Sequence, residues 1–142
     1  MKKLLALVFV FVLLCGCAAA SEQAKEIGLF EEWMRMCGYD DVPTPGSLDG
    51  DLVYKWGGML IMMLFNGDTL VACCITATTA TDADVLITAF AAIHSFVGDY
   101  DLMWPYMEYR SGGTGYGFPN GWYIVMKDDD QGRFCCNILR GK

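Results

Sequence analysis

Apolar residues recur with a helical period near the start of the chain. Phe30, Trp33, Met34 and Cys37 stand at positions i, i+3, i+4 and i+7, and Gly38 follows them directly. Residues three and four apart lie on one side of a helix, and glycine is common just past a helix end. The pattern predicts an amphipathic helix that ends near Gly38.

Two strongly apolar segments, 57–65 and 68–76, flank the dipeptide Asn66-Gly67. Asn-Gly tolerates the positive φ angles of a tight hairpin turn, so we predict an antiparallel hairpin in which Phe65 pairs with Asp68. One face then carries Met59, Ile61, Met63, Leu70, Ala72 and Cys74, and the other carries Leu60, Met62, Leu64, Val71, Cys73 and Ile75. Both faces are apolar, which predicts cover on both sides by helices or by a partner chain, including a second copy in a homodimer.

Segment 81–97 predicts a second helix. Thr81 with Asp84 three residues later resembles a capping box, in which two side chains satisfy free backbone N–H groups. One stripe of this helix carries Leu86, Phe90, Ile93 and Val97. The stripe predicts the side that packs on the sheet.

The remaining segments complete the architecture. Residues 122–127 and 133–139 predict a second hairpin, and residues 40–51, rich in proline, glycine and aspartate, predict a surface connection. The order helix, hairpin, helix, hairpin predicts an α+β fold of two layers, with two helices on a mainly antiparallel sheet. We expect one such domain over residues 22–142.

The first twenty residues have the layout of a secretory signal. Lys2 and Lys3 precede eleven apolar residues at 4–14, and small residues follow. An eleven-residue helix spans about 17 Å, less than the roughly 30 Å hydrocarbon core of a bilayer. A cleaved signal is therefore favoured, and an uncleaved anchor that extends to residue 20 stays open.

Leu14, Cys15, Gly16 and Cys17 resemble the bacterial lipobox, Leu-x-Gly-Cys. The resemblance implies that a signal peptide, residues 1–16, is removed and that Cys17 becomes a lipidated N-terminus. Two or more acyl chains, such as palmitate, give stable anchoring. The lipobox predicts a lipoprotein held at the extracytoplasmic face of the cell membrane, with residues 17–21 as lipidated N-terminus and short tether.

An ordinary signal peptidase is the alternative. Residues 18–20 are alanines and fit its small-x-small rule, with cleavage before Ser21. That product would carry no lipid and would be soluble.

The net charge of the chain limits the classes of binding partner. Removal of residues 1–16 takes Lys2 and Lys3, so eight of ten basic residues remain against seventeen acidic ones, and the net charge falls from −7 to −9. Such a surface repels phosphate backbones. Nucleic acid is excluded as a partner class.

Five cysteines follow Cys17, at positions 37, 73, 74, 135 and 136. Neighbours on a strand point to opposite faces, so neither Cys-Cys pair suits a single metal ion. Two interpretations stay open. One is a disulfide between strands or between sheet and helix, and the other is that the cysteines are small core hydrophobes.

His94 is the only histidine. A thiol enzyme would need it beside Cys73 or Cys74, but it lies mid-helix near Phe90 and Ile93, which favours a packed helical histidine. No hydrolase or phosphate-loop motif is present in the sequence, and no cofactor is predicted.

Asp128, Asp129 and Asp130 are consecutive. An EF-hand loop spaces its ligands at alternate positions and ends with glutamate at the twelfth, where this chain has Leu139. The aspartates predict a solvated hairpin turn rather than a metal site.

The segment 104–122 combines large aromatic residues with five glycines. Its candidate ligand-binding residues are Trp104, Tyr106, Tyr109, Tyr116, Phe118 and Trp122. Tyr and Trp with Gly are typical of adaptable binding loops. The alternative is that the aromatics face the core and the glycines only join two strands.

Three functions follow from these observations. The first is a noncatalytic, lipid-anchored domain that binds a protein, peptide or sugar at the cell envelope through the aromatic segment. The second is an acidic inhibitor or immunity-type lipoprotein that neutralises a basic envelope enzyme by electrostatic steering. The third is a thiol-dependent enzyme.

Overall fold

The computed structural model describes residues 22–48 and 51–141. The predicted signal peptide, Cys17 and the predicted tether at 17–21 lie outside this range, so signal cleavage and lipidation stay predictions. Within the described ranges, no helix is both long and apolar enough to cross a membrane.

The described part of the chain folds as one open antiparallel sheet with helices. The helices are α1 (Glu22–Met36), α2 (Asp82–Val97) and α3 (Met103–Arg110). The strands are β1 (Gly46–Leu48), β2 (Asp51–Trp56), β3 (Met59–Asn66), β4 (Thr69–Ala77), β5 (Gly115–Gly117), β6 (Trp122–Asp128) and β7 (Phe134–Arg140). The sheet order is β1-β2-β3-β4-β7-β6-β5. The α+β class is confirmed, whereas α3, β1, β2 and β5 are additions to the predicted order.

The first helix forms as its apolar period predicts. Phe30 and Met34 are buried, and the ring of Phe30 packs at a tilt against the buried ring of Tyr54, with the ring centroids 5.6 Å apart. Gly38 takes a φ of +94°, and the N–H of Tyr39 then donates to the carbonyl of Met34 at 3.1 Å. A left-handed glycine of this kind ends a helix by satisfying its last carbonyls.

The first hairpin is present, but its predicted register is wrong. The turn residues are Gly67 and Asp68, so that Asn66 pairs with Thr69, and a bulge follows next to Leu64. A bulge inserts one extra residue and reverses which face each later side chain occupies. Met63 pairs with Cys73 instead of Leu70.

This register separates a core face from an open face. Met59, Ile61 and Met63 share the core face with Cys73, Ile75 and Ala77, and all six are buried. The side chains that α1, α2 and α3 contact on the sheet include Tyr54, Met59 and Phe134, which all belong to the core face. The open face carries Val53, Leu60, Met62, Leu64, Cys74, Thr76, Val125, Cys135 and Leu139.

The second helix begins at its predicted cap. The N–H of Asp84 donates to Thr81 Oγ1, and the N–H of Thr81 donates to Asp84 Oδ2, both at 3.2 Å. The predicted apolar stripe is half right, since Ile93 and Val97 are buried but Leu86 and Phe90 are not in the core. The buried face is instead Val85, Ala89, Ala92, Ile93 and Val97 with Ala91 and Thr88 beside it. Small alanines bring α2 close to the sheet and leave the larger side chains at its flank.

The third helix lies directly on the short edge strand β5. Asp101 Oδ1 accepts from the N–H of Met103 at 2.8 Å, and Pro105 lies in the first turn, where a missing N–H costs nothing. A Cβ atom at Gly115 would overlap the carbonyl oxygen of Pro105. Glycine at this position is what allows the helix to approach the strand.

The second hairpin joins β6 to β7 as predicted. Asp129 in its turn accepts from the N–H groups of Gln131 and Arg133 at 2.9 Å, and from Arg133 Nε at 2.7 Å. Hydrogen bonds from Arg133 hold the pKa of Asp129 below its usual range. Asp129 therefore stabilises the hairpin turn.

Candidate functional site

The six aromatic residues of segment 104–122 do not form one surface. Trp122 is 8% exposed and belongs to the core, whereas Trp104 on α3 is 79% exposed. Tyr106, one turn further along α3 than Met103, is half-buried beside a cavity. The predicted binding residues are thus divided among core, helix surface and sheet.

Tyr109 is held by its neighbours. Its ring lies 4.6 Å from that of Phe134, and its hydroxyl donates to Asp128 Oδ1 at 2.8 Å. Burial, with the Asp128 hydrogen bond, raises the pKa of Tyr109 to about 12. These contacts fasten α3 to the sheet.

Tyr116 and Phe118 lie at the far edge of the open face. Phe118 packs edge-on against Tyr123 at 5.4 Å, and Phe118 is 66% exposed. The glycines beside Tyr116 point the other way, where a Cβ at Gly117 would come within 2.7 Å of the Tyr100 hydroxyl. Gly115 and Gly117 therefore allow close packing rather than cradle a ligand.

A cavity of about 750 Å³ opens between α2, α3 and the connection that joins them. Its walls are Cys37, Leu86, Ile87, Phe90, His94, Asp99, Tyr100, Asp101, Leu102, Met103 and Tyr106. Most of these side chains are apolar or aromatic. Ligand sites typically have this size and an apolar lining with a few polar groups.

His94 is the notable polar group of the cavity. Its ring packs against Phe90 at 4.1 Å and Trp33 at 5.0 Å. Its Nε2 atom is buried and has no hydrogen-bond partner among the described residues. A buried polar atom without a partner costs about 1–3 kcal/mol, so this nitrogen is a source of instability in the unliganded protein.

The other polar groups of the cavity differ in their availability. Asp99 and Asp101 are exposed, and Asp101 already accepts from the first N–H of α3. Burial raises the pKa of the Cys37 thiol, which stays protonated near neutral pH and acts as apolar wall. The described residues contain no cluster of three or more His, Cys, Asp or Glu side chains suited to a metal ion.

The cysteines do not assemble the predicted thiol-imidazole pair. Cys73 is fully buried in the core, where burial raises its pKa to about 12. Cys74 lies on the open face, while His94 lies on α2 on the other side of the sheet. All five cysteines beyond residue 22 are free thiols in this structure.

Sequence reasoning missed the cavity. Leu86 and Phe90 were expected in the core, and the connection 98–102 carried no predicted role. Tyr106 is the one predicted ligand-binding residue that lines the cavity. The available signal was the pair of alanines at 89 and 92, because a helix that packs through alanine has larger residues left for another surface.

Comparison with known proteins finds no family model that matches the chain, and no curated protein or solved structure that is significantly similar to it.

Proposed function

We propose that this chain is a noncatalytic binding domain, exported and held by lipid at Cys17, and that the cavity between α2 and α3 is its ligand site. The observation that carries the proposal is an apolar cavity of about 750 Å³ whose wall includes His94, a residue whose buried Nε2 has no hydrogen-bond partner among the described residues.

The lining indicates the class of ligand. Leu86, Phe90 and Met103 offer apolar contact. The polar groups of the lining are His94, two aspartates and the hydroxyls of two tyrosines. A sugar needs polar partners around its whole ring, whereas most of this lining is apolar or aromatic. An apolar group that carries one polar atom fits better, whether it belongs to a small molecule or to a side chain of an envelope peptide.

Blocking the cavity is the first test. Ile87 lies at its wall and is 37% exposed, so Ile87→Trp adds bulk at the mouth without disturbing the core. The neutral probe N-phenyl-1-naphthylamine gains fluorescence in apolar sites. We expect it to bind the wild-type protein, and Ile87→Trp to reduce its affinity at least fivefold.

Met107→Trp is the matched control. Met107 is an exposed apolar residue of the neighbouring helix α3 and is not part of the lining. Surface substitutions of this kind change stability by about 0.5 kcal/mol or less. The cavity is not the site if the two variants bind the probe equally well.

Anchoring is tested separately. We expect Cys17→Ser to move the protein from the membrane fraction to the soluble fraction, because the acyl chains have no other attachment. Intact mass spectrometry of the wild-type protein should show a lipid-modified cysteine at residue 17. An unmodified chain that begins at Ser21 would instead support ordinary cleavage.

The acidic inhibitor remains the second candidate, and the mature net charge of −9 favours it. Steering by charge weakens with salt, whereas binding in an apolar cavity does not. A protein captured from the envelope fraction that is released by raised ionic strength would favour this candidate. The apolar open face of the sheet is not covered by any helix of the described residues, which supports the proposal of a homodimer formed through this face.

A further inference from the structure

Two cysteine side chains meet on the open face of the sheet. Cys74 on β4 and Cys135 on β7 have their sulfur atoms 3.8 Å apart. They are diagonal neighbours, since Cys74 pairs directly with Asn137, and Thr76 pairs directly with Cys135. This thiol pair lies on the opposite side of the sheet from the cavity.

Polar groups converge on one of the two sulfurs. Cys135 Sγ lies 3.6 Å from Thr76 Oγ1, and Asn137 Nδ2 donates to it at 3.5 Å. The hydrogen bond from Cys74, with those from Thr76 and Asn137, lowers the pKa of Cys135 below its usual range. The same contact with Cys135, together with burial, raises the pKa of Cys74.

Charged groups near the pair are few. Lys127 on β6 stands directly opposite Cys135, and Asp129 lies in the following turn. Burial and the negative charge of Asp129 both disfavour the thiolate form of Cys135. The hydrogen-bond donors outweigh both.

We propose that Cys74 and Cys135 are a redox-active dithiol that is oxidised to a disulfide by low-molecular-weight disulfides and is reduced again by thiols. The inference is independent of the proposed function, because it concerns other residues on another face.

The exchange proceeds in two steps. The Cys135 thiolate attacks one sulfur of the donor R–S–S–R, which forms a Cys135–S–S–R bond and releases one R–S⁻. Cys74 then loses its proton and attacks Cys135 Sγ, which expels the second R–S⁻. Two protein thiols are oxidised to one disulfide, the donor is reduced to two thiols, and the two protons pass through solvent to the released thiolates.

Geometry argues for a small donor and a reversible bond. Cys135 is 7% exposed, so a slender disulfide reaches its sulfur more easily than a folded protein does. The sulfurs must approach by roughly 1.8 Å from their 3.8 Å separation to form a disulfide. Diagonal neighbours lie further apart than directly paired residues, and a strained disulfide is more easily reduced.

Mass spectrometry tests the proposal on the full chain in mild detergent. The reduced protein is incubated with oxidised glutathione, quenched in acid and digested with trypsin without reductant. We expect the intact protein to lose two hydrogen atoms, and the digest to contain peptides 56–110 and 134–140 linked together. Absence of this link at the most oxidising ratio would overturn the proposal.

Single substitutions locate the sulfurs, since each linked peptide contains two cysteines. Cys74→Ser should abolish the link and accumulate one glutathionyl group on Cys135. The link should persist in Cys73→Ala and Cys136→Ala, which change the buried neighbouring cysteines. It should also persist in Ile87→Trp. A link that survives Cys74→Ser contradicts the assignment.

The order of attack is tested at pH 6. Cys74→Ala removes the hydrogen-bond donor that lowers the pKa of Cys135, whereas Cys74→Ser keeps a hydroxyl donor. We therefore expect Cys135 to be glutathionylated about tenfold more slowly in Cys74→Ala than in Cys74→Ser. Equal rates in the two variants would show that Cys135 is not the activated sulfur.

Discussion

Replacing Gly115 by alanine is expected to lower the free energy of unfolding by about 3 kcal/mol. The added Cβ would overlap the carbonyl oxygen of Pro105, and a backbone atom cannot move aside by changing rotamer. Either β5 or α3 must shift. Because Met103 and Tyr106 of α3 line the cavity, binding of N-phenyl-1-naphthylamine should weaken in the same variant.

Gly28→Ala is the control for this substitution. Gly28 lies in α1, is exposed, and a Cβ there meets nothing within 4 Å. Alanine at an exposed helical position stabilises by about 1 kcal/mol relative to glycine. Urea unfolding of both variants should show opposite shifts, and equal stability of Gly115→Ala and the wild-type protein would refute the close contact between α3 and β5.

Elements with a strong local signal could be predicted from the sequence. The apolar period before Gly38 and the cap at Thr81 depend on residues within a few positions of one another, and both formed as expected. The two predicted hairpins also formed. Local chemistry was sufficient to predict that these elements form, but it misplaced the turn of the first hairpin by one residue.

Features that depend on distant residues could not be predicted in this way. The bulge beside Leu64 reverses the faces of β4, and a hydrophobic pattern that is apolar on both faces gives no indication of it. The pairing of β4 with β7 brings Cys74 to Cys135 across 61 residues. Neither the thiol pair nor the cavity has a signature within one segment.

The aromatic segment shows the same limit. Its residues were grouped by nearness in sequence, yet α3 and β5 turn Trp104 and Tyr116 to different surfaces, and Trp122 enters the core. Gly115 and Gly117 are explained by contacts with Pro105 and Tyr100, which precede them in the chain. The composition of the segment predicted a loop, whereas Gly115–Gly117 form strand β5 in the structure.

His94→Phe is expected to stabilise the unliganded protein while weakening ligand binding. Phenylalanine keeps the contacts of the ring with Phe90 and Trp33 but removes the buried nitrogen that has no partner among the described residues. We expect a gain of about 1–2 kcal/mol in the free energy of unfolding and a rise of about 3–6 °C in Tm. A ligand whose polar atom bonds Nε2 should lose about tenfold in affinity.

His94→Gln separates polarity from shape, because it keeps a polar group on the helix and loses the aromatic ring. We expect it to gain no stability, since its amide also needs a partner in the cavity. Thermal unfolding of the three proteins without ligand measures this difference directly. If His94→Phe is less stable than the wild-type protein, the imidazole is already satisfied, and the argument that it awaits a ligand fails. Stability gained by removing a polar side chain would instead identify a position kept for binding rather than for folding.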